Sequence, residues 1–416
     1  MIYLVVLLYV ALIYIRPGEV VPALAGLPIV DVISLLAMAL IAGSLLFRYR
    51  PFWTEPLDKY VALYFVAIVL SNPAWGYLQG GIDAFFRFLP VVICYYLIRA
   101  GVQTHRQLSG LLTLFVYLNV FLAVNGIVQS YTGLGIGGVA VMDTREGARI
   151  RGTGIFNDPN DLGMTLVMSV PFLLSRLLDR ESRLFKRVAA ATWLGVVVFA
   201  CYLTNSRGTV LGLGAVFLTY AYRRFGAVTA TFVGVLGVGL LVAFGPSRTA
   251  TISAQEGSAQ GRIEAWVAAY EMLRSSPLLG VGFGRFVDFH ERAAHNSFAH
   301  TIGELGLFGA FCFVGLFFWY FRRIRRRDLP AEAAPDHERF GRTLIAAGIG
   351  MVTCMAFLSR QYTMVVYVLL SAGATHATLI RPGGEDRPQG LERFAVPVLT
   401  AVLIPSFYVV SVLLRG

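Results

Sequence analysis

An arginine and a histidine in one polar segment carry the clearest potential for chemistry in this sequence. Arg262 opens a helical pattern, and His295 ends the segment directly before an apolar run that begins at Ser297. A guanidinium can hold a phosphate through two parallel hydrogen bonds and keeps its charge at physiological pH. An imidazole of ordinary pKa, about 6.5, can accept a proton from a hydroxyl at neutral pH. The pair indicates a site that could hold a phosphate beside a possible proton acceptor, while a structural hydrogen-bonding role for the histidine stays open.

Two shorter polar segments contain further arginines and amides. Residues 145–163 read REGARIRGTGIFNDPNDLG, and the tight turn 204–208 reads TNSRG. Pro159 disfavours helix before it, and we expect Asn160 to cap the span that follows. Arg207 has two open interpretations, a side chain that reaches from the membrane to the interface and an anion ligand. Beside the candidate catalytic residues His295, Arg262 and Arg207, the candidate substrate-binding residues are Arg149, Arg151, Asn157, Asn160, Trp266, Asn296 and Arg360.

The polar segment from 245 to 296 contains a predicted amphipathic helix. Its apolar positions recur at one-face spacing, which predicts a helix lying along the membrane surface. Arg262 stands near the start of this helix, where free N–H groups and the helix dipole favour an anion. After Pro277 the sequence GVGFGRF at 280–286 matches neither a dinucleotide fingerprint nor a P-loop. It predicts a close-packed turn, with backbone contact to a ligand as the alternative. The apolar positions are Ile263, Trp266, Tyr270 and Leu273.

Other common chemistries lack their motifs. The histidines do not have metalloprotease spacing, and Asp158 with Asp161 is the one close pair of aspartates in the outer segments. No GxSxG serine elbow occurs. The four cysteines stand singly in apolar runs, which supports neither a disulfide framework nor a zinc site. We therefore expect no metal and no cofactor.

The composition is that of a membrane protein. Of 416 residues, 56% are hydrophobic and only 14% are charged, where a soluble domain has about a quarter charged. The mean hydropathy is +0.67. The net charge of +11 is spread over short loops and forms no single patch, which argues against nucleic acid as a partner.

The polar segments lie between apolar runs long enough to cross about 30 Å of hydrocarbon. The sequence predicts an all-α polytopic membrane protein with about twelve or thirteen transmembrane helices, the first retained rather than cleaved. One integral membrane domain would comprise an N-terminal bundle (1–245), a periplasmic loop with the amphipathic helix (246–296) and C-terminal helices (297–416). The predicted spans are 1–15, 29–47, 57–75, 84–99, 107–130, 161–178, 187–204, 207–222, 226–245, 297–321, 342–358, 362–380 and 394–414.

The distribution of arginine predicts the orientation, because cytoplasmic loops retain Lys and Arg. Arginine clusters fall in alternate loops, so the amino terminus is expected in the cytoplasm. The loops 131–160, 205–208 and 246–296 and the turn at Arg360 then lie outside, and their arginines indicate an anionic partner. Topology alone would account for the cytoplasmic clusters at Arg48–Arg50, Arg99–Arg106, Arg176–Arg187, Arg223–Arg224, Arg322–Arg327 and Arg381–Arg393.

Four sequence blocks occur in order over about 145–310: RGTGIFNDPNDLG, NSRGTVLGL, GRIEAWVAAYEMLRSSPLLGVGFGRF and AHNSFAHTIGELGLFG. They resemble the family of O-antigen ligases and O-antigen polymerases, which are glycosyltransferases of the bacterial envelope. The resemblance implies transfer of a glycan from a polyprenyl diphosphate to an acceptor hydroxyl at the periplasmic face of the inner membrane. It assigns His295 as the general base and Arg262 and Arg207 as diphosphate contacts.

Three functions stay open at this point. A ligase would use lipid A core or a protein as acceptor, whereas a polymerase would use a second lipid-linked repeat. A transporter of anionic or lipid-linked substrates would need arginines along a pathway, and such proteins often show repeats and broken helices, neither of which the sequence indicates. The expected partners are the lipid-linked glycan donor, the hydroxyl acceptor and the bilayer, without nucleic acid.

Overall fold

The computed structural model describes residues 2–24, 26–27, 29–46, 53–144, 147–244, 257–325, 334–380 and 394–413. These residues are helical except for loops and one antiparallel hairpin, β1 (Met142–Thr144) with β2 (Gly147–Arg149). The predicted all-α polytopic fold is confirmed. The helices are α1 (Ile2–Ile15), α2 (Pro17–Val20), α3 (Ile29–Leu46), α4 (Pro56–Ser71), α5 (Leu78–Gly101), α6 (His105–Thr132), α7 (Pro159–Leu177), α8 (Leu184–Leu203), α9 (Arg207–Phe225), α10 (Ala227–Phe244), α11 (Gly257–Ser275), α12 (Phe286–Phe289), α13 (Ser297–Ile324), α14 (Ala334–Met355), α15 (Met364–Ile380) and α16 (Ala395–Leu413).

Each predicted span falls on one of these helices. By length and composition, five described segments could each cross a bilayer: Ile2–Val20, Leu78–Gly101, His105–Thr132, Leu184–Leu203 and Ser297–Ile324. The larger number of spans stays a prediction. The arginine clusters at 48–50, 326–327 and 381–393 and the loop residues 245–256 lie outside the described residues.

The chain forms two compact units, each built from three separate segments. Unit 1 comprises 1–46, 100–251 and 324–354, and unit 2 comprises 47–99, 252–323 and 355–416. The predicted division at 245 and 296 is based on the hydropathy of the chain, whereas the two units are defined by which segments contact each other. The polar loop therefore belongs, over its described residues, to the same unit as the helix that follows it.

The centre of unit 1 is α7, which is buried along nearly its whole length and packs against α6, α8 and α9. Its polar side chains have partners. Thr165 donates to the Asn119 side-chain oxygen at 2.9 Å, and the Tyr14 hydroxyl is 2.9 Å from the Thr165 hydroxyl. In a bilayer an unsatisfied polar group costs several kcal/mol, so such bonds let polar residues occupy a helix interface.

In unit 2, α13 is interrupted at Gly306, whose backbone has φ 60° and ψ −157°. The glycine turn 277–282 fits into the break and satisfies the backbone groups that a continuous helix would have paired. Glycine is needed on both sides of the contact, because a Cβ at Gly280 would lie 2.4 Å from the Glu304 carbonyl oxygen and one at Gly306 would lie 2.6 Å from the Gly280 nitrogen. The sequence predicted a close-packed turn here but not the broken helix. The four bonds are Val281 N to Gly303 O (3.0 Å), Gly282 N to Glu304 O (2.9 Å), Leu307 N to Pro277 O (2.8 Å) and Phe308 N to Leu278 O (3.0 Å).

A buried ionic cluster lies in unit 2 where α4 begins and α5 and α13 end. Arg99 Nε is 2.9 Å from Asp58, and Arg323 Nη2 donates to Glu55 at 2.9 Å. All four side chains are almost fully buried. Removing one partner of such a pair leaves an uncompensated charge, which makes the cluster sensitive to substitution. Topology alone, the explanation given by the sequence, therefore does not account for these two arginines.

Candidate functional site

His295 lies in the turn that leads into α13. Its backbone is in the left-handed region, with φ 47°, and its side chain is exposed. This conformation costs a residue with a Cβ roughly 1–2 kcal/mol. Asn296 follows as the helix cap, because its side-chain oxygen accepts hydrogen bonds from the backbone N–H groups of Phe298 (2.9 Å) and Ala299 (3.2 Å). The turn thus presents the imidazole outward while the next residue closes the helix start.

An indole fastens the His295 turn to α11. Trp266 Nε1 donates to the carbonyl oxygen of Ala294, the residue before His295, at 3.0 Å. Arg262 stands four residues before Trp266 on α11, so the two side chains share a face of the helix. Both are half-buried. The helix that carries the candidate phosphate ligand is therefore bonded directly to the turn that carries the candidate base.

The apolar face of α11 is covered by protein, where the sequence predicted a helix along the membrane surface. Ile263 and Leu273 are buried, and Leu273 and Tyr270 pack with side chains of α13 and α16. Hydrophobic periodicity identifies which face of a helix is buried but not whether lipid or protein covers it. The seven buried residues of the adjoining cluster are Ala265, Ala269, Met272, Val281, Phe286, Ala294 and Ala299.

Arg360 is connected to the start of α13 by its backbone. Its N–H donates to the Ser297 hydroxyl at 2.9 Å, and that hydroxyl donates to the Leu358 carbonyl oxygen at 2.6 Å. Ser297 stands two residues after His295, so the turn at Arg360 lies beside the candidate base. The guanidinium of Arg360 is half-buried and donates to the Ser359 carbonyl oxygen at 3.2 Å.

A buried carboxylate that the sequence reading did not single out organises the same region. Glu304 is 1% exposed. One of its oxygens accepts from the Phe286 backbone N–H at 3.1 Å and lies 3.0 Å from His300 Nε2. The other accepts from the Tyr362 hydroxyl at 2.8 Å. Both oxygens of the Glu304 carboxylate therefore have hydrogen-bond partners. A glutamate inside an apolar run is the signal that could have identified it.

A cavity of about 750 Å³ lies between the first turns of α11 and the segment 287–292. Three carboxylates line it, Glu264, Asp288 and Glu291, and Arg292 brings the one guanidinium among its lining residues. Phe289 adds an exposed aromatic ring. Carboxylates accept hydrogen bonds from hydroxyl groups and repel phosphates, so this lining suits a polyhydroxylated group better than a diphosphate.

In unit 1, Arg149 is buried and holds the TNSRG turn. Its Nε donates to the Thr204 carbonyl oxygen at 2.8 Å, and its Nη2 donates to the Asn160 side-chain oxygen at 3.0 Å. Burial lowers the pKa of Arg149, and Asp158 opposes this effect. The hairpin loop and the turn, both predicted on the same side of the membrane, therefore converge through this arginine.

The other candidates in unit 1 are more exposed. Arg207 is half-buried at the first position of α9, and Asn157 is exposed. Arg151 is half-buried and donates to the Ala140 carbonyl oxygen at 2.8 Å. The cap of α7 is Asp158, whose side chain accepts from the Asn160 N–H; Asn160 was the wrong choice. With proline at the first helical position, the capping residue must be the one directly before it.

The predicted site residues thus form two groups, one in each unit. Unit 2 brings together the turn of His295 and Asn296, the helix of Arg262 and Trp266 and the turn of Arg360. Unit 1 joins the remaining candidates around the TNSRG turn, which are Arg149, Arg151, Asn157, Asn160 and Arg207.

Residues 190–314 match the family model Wzy_C, described as O-antigen ligase. Three of the four sequence blocks lie inside this range, and RGTGIFNDPNDLG precedes it. The match confirms the family resemblance of the motifs. No curated protein matches the chain. Over these residues the chain is similar to O-antigen ligases, and its apolar helices are those of a membrane protein.

Proposed function

We propose that this chain, with its O-antigen ligase domain at residues 190–314, transfers a glycan from polyprenyl diphosphate to an acceptor hydroxyl. One observation carries the proposal above all. The hydrogen bond from Trp266 to Ala294 ties the helix of Arg262 to the turn of His295. A phosphate ligand and a proton acceptor are the two groups that this reaction needs, because a diphosphate leaves without being protonated.

In the proposed reaction His295 takes the proton from the acceptor hydroxyl. The oxygen then bonds to the anomeric carbon as the bond from that carbon to the diphosphate breaks, and the diphosphate leaves with the electron pair. Attack opposite the leaving group inverts the anomeric centre. The exposed imidazole and its left-handed backbone support this role, since strained backbone is concentrated at functional sites.

The diphosphate would be held by arginines. Arg262 and Arg360, on segments bonded to the His295 turn, can each offer a guanidinium fork, and the family resemblance adds Arg207. Replacing Arg262 by alanine is expected to weaken use of the donor by roughly 2–5 kcal/mol. Arg262→Lys, which keeps the charge and loses the fork, should be only partly active. If the Ala variants of Arg262 and Arg207 both used the donor normally, the diphosphate ligands would have to be sought among Arg149, Arg151 and Arg360.

The acceptor would occupy the carboxylate-lined cavity of unit 2. Its carboxylates can accept hydrogen bonds from sugar hydroxyls and disfavour entry of the diphosphate. Glu264→Gln with Glu291→Gln should raise the KM for the acceptor and leave the KM for the donor unchanged. Glu271→Gln, an exposed glutamate on the same helix outside the cavity, is the matched control. An unchanged acceptor KM in the double variant would remove this assignment.

The decisive test of the base is His295→Asn in the purified protein, supplied with a polyprenyl-diphosphate-linked glycan and an acceptor. Asparagine tolerates left-handed backbone but accepts no proton at neutral pH. We expect transfer to fall by at least about a hundredfold, the usual lower range for loss of a general base. Thermal unfolding in detergent should stay near that of the wild type. Near-normal turnover of this variant would rule out His295 as the base.

The same assay separates ligase from polymerase. Lipid A core, a second lipid-linked repeat and a protein acceptor are supplied in turn with one donor. We expect lipid A core to be used, and we favour the ligase because the long polar loop and the AHN block fit it. Products of increasing repeat number without any capped acceptor would establish the polymerase. Movement of the lipid-linked glycan across liposomes without transfer would favour a transporter.

The site is proposed to face the periplasm from the inner membrane. His295 stands before the first residue of α13, and Arg322 and Arg323 lie in its last turn. Basic residues mark the cytoplasmic end of a span, so the His295 end would be outside. Glu271→Cys should react with an impermeant maleimide in spheroplasts, and Arg183→Cys only after permeabilisation. The four native cysteines are buried and give little background.

A further inference from the structure

A second cavity, of about 450 Å³, lies in unit 1 where the start of α6, the end of α7 and the start of α14 meet. It is separate from the candidate site residues of this unit. Asn160 stands in the first turn of α7 and Arg176 in its last. A helix of this length spans roughly 28 Å. The cavity is therefore at the opposite end of α7 from the Arg149 cluster.

Cationic side chains dominate the lining of this cavity. Arg106, Arg176 and Arg339 contribute three guanidiniums, and His105 and His337 contribute two imidazoles whose ring centroids are 4.2 Å apart. Among the described residues that line it, none is a carboxylate. The three arginines give the lining a formal charge of +3 with both histidines neutral, of which Asp179, the ion-pair partner of Arg339 just outside the lining, offsets one. The cavity of unit 2 has the opposite sign, so the two select different ligands.

Two of the three arginines are held in place by neighbouring side chains. Arg339 pairs with Asp179 at 2.8 Å, and Arg176 donates to the Thr113 hydroxyl. A guanidinium that is already oriented loses less conformational freedom when it binds an anion. The cavity also lies at the starts of α6 and α14, whose dipoles add to the attraction for negative charge.

The cavity has a polar rim and an apolar floor. Arg106 and Ser109 are exposed, whereas Leu112, Val116 and Phe172 are buried. A rim of cations above buried aliphatic and aromatic side chains fits a ligand with a phosphate at one end and a hydrophobic part at the other. A free phosphate could use the rim alone.

We propose that this cavity binds a phosphate monoester or diester group. Arginine pairs with phosphate through two parallel hydrogen bonds, and the imidazole N–H groups can donate to the remaining oxygens. The phosphate can come from a lipid headgroup at the membrane surface or from a soluble phosphorylated compound. The proposal does not depend on glycan transfer, because the cavity is remote from the transfer residues of its unit.

The test uses the purified full-length chain in mild detergent. Native mass spectrometry compares retention of phosphatidylglycerol with retention of diacylglycerol, and thermal unfolding is followed with added inorganic phosphate against chloride of equal ionic strength. We expect phosphatidylglycerol to be retained at least about tenfold better than diacylglycerol, because two charge-assisted hydrogen bonds would produce a preference of this size. Preferential retention of phosphatidylglycerol together with thermal stabilisation by inorganic phosphate would show that the phosphate group is sufficient for binding. An effect of only one of the two would identify the source of the phosphate.

Arg106→Gln with Arg176→Gln should abolish most of this preference. Arg180→Gln with Arg183→Gln removes the same charge from exposed residues outside the cavity and should leave the preference intact. Arg106→Gln alone changes an exposed side chain, and it carries the test if the double variant does not fold. Equal retention of both lipids by the wild type, together with no effect of phosphate, would overturn the proposal. An equal loss in the control pair would do the same.

Discussion

Two turns, one in each unit, are built in the same way. In unit 1 the turn runs from Thr204 to Arg207, and in unit 2 it runs from Ala294 to Ser297. In each, a side-chain N–H binds the first carbonyl oxygen, the next residue has φ 47°, and the third residue caps the helix that follows. The first-carbonyl donors are Arg149 and Trp266, the left-handed residues are Asn205 and His295, and the caps are Ser206 and Asn296.

The two turns differ in how far their left-handed residue is exposed and in the chemistry of its side chain. Asn205 is half-buried, whereas His295 is exposed. The donor to the first turn is a buried arginine with a second bond to Asn160, and the donor to the second is an indole. The shape of such a turn therefore comes from the hydrogen-bond donor, the left-handed residue and the cap. The outward side chain is then available for chemistry, which supports His295 as the base and Trp266 as a residue that positions it.

Removing the donor of the first turn should have the largest effect. Arg149→Ala deletes two charge-assisted hydrogen bonds, one buried and one partly buried, and is expected to lower the free energy of unfolding by roughly 2–4 kcal/mol. Arg151→Ala, which deletes one bond of a half-buried side chain, should cost less than about 1 kcal/mol. Thermal unfolding of the two variants in detergent measures the difference. If the Arg149→Ala protein were fully stable but used the lipid-linked glycan poorly, Arg149 would instead be a substrate ligand.

Removing the donor of the second turn should affect activity more than stability. Trp266→Phe keeps the ring packing and loses the hydrogen bond to Ala294, which should lower the free energy of unfolding by about 1 kcal/mol. A shift of the His295 turn by about 1 Å should slow transfer by roughly ten- to a hundredfold. Trp75→Phe is the matched control, because the Trp75 indole donates to the Gly280 carbonyl oxygen at 2.7 Å. Equal rate losses in both variants would show that Trp266 acts through general stability.

The two caps should be equivalent in stability. Ser206→Ala and Asn296→Ala each remove a side-chain acceptor at a helix start and should cost about 1 kcal/mol, within the usual range for caps. Asn296→Asp keeps the acceptor and should remain close to the wild type. Thermal unfolding of the three variants checks this. A loss of transfer by Asn296→Asp without a loss of stability would point to a role of the amide in substrate binding.

The left-handed positions should give the smallest effects on stability. Glycine adopts this backbone without strain but increases the freedom of the unfolded chain. Asn205→Gly and His295→Gly are therefore expected to change the free energy of unfolding by less than about 1 kcal/mol. The two substitutions should differ in their effect on transfer activity, since only His295→Gly removes the proposed base. Strong destabilisation by His295→Gly would mean that the His295 imidazole stabilises the fold.

Much of the fold could be predicted because apolar run length maps directly onto helices in a bilayer. The predicted spans fall on helices, and three of the four motif blocks lie in the range that matches the O-antigen ligase model. The hairpin of β1 and β2 was missed, since three-residue strands between loops leave no periodic signal. The cap of α7 was misassigned by two residues, although Pro159 contained the information needed to place it at Asp158.

The candidate site could be predicted as residue types but not as contacts. Arginine, histidine and the AHN block were visible in sequence. Glu304 was not selected, because two of its partners, Phe286 and Tyr362, lie on other elements and only His300 is on the same helix. The break in α13 was equally hidden, since Gly306 alone is compatible with a continuous membrane helix.

The amino-acid sequence was enough to predict the membrane class, the helical elements, the resemblance to O-antigen ligases and the residue types that can hold phosphate and accept a proton. These properties follow from local composition and short motifs. The contacts within the folded chain were needed to show which elements share a unit, that Trp266 anchors the turn of His295, and that protein covers α11. They also show that Arg99 and Arg323 are paired within the protein. Such outcomes depend on hydrogen bonds and packing between segments far apart in the chain, for which the sequence carries no local signal.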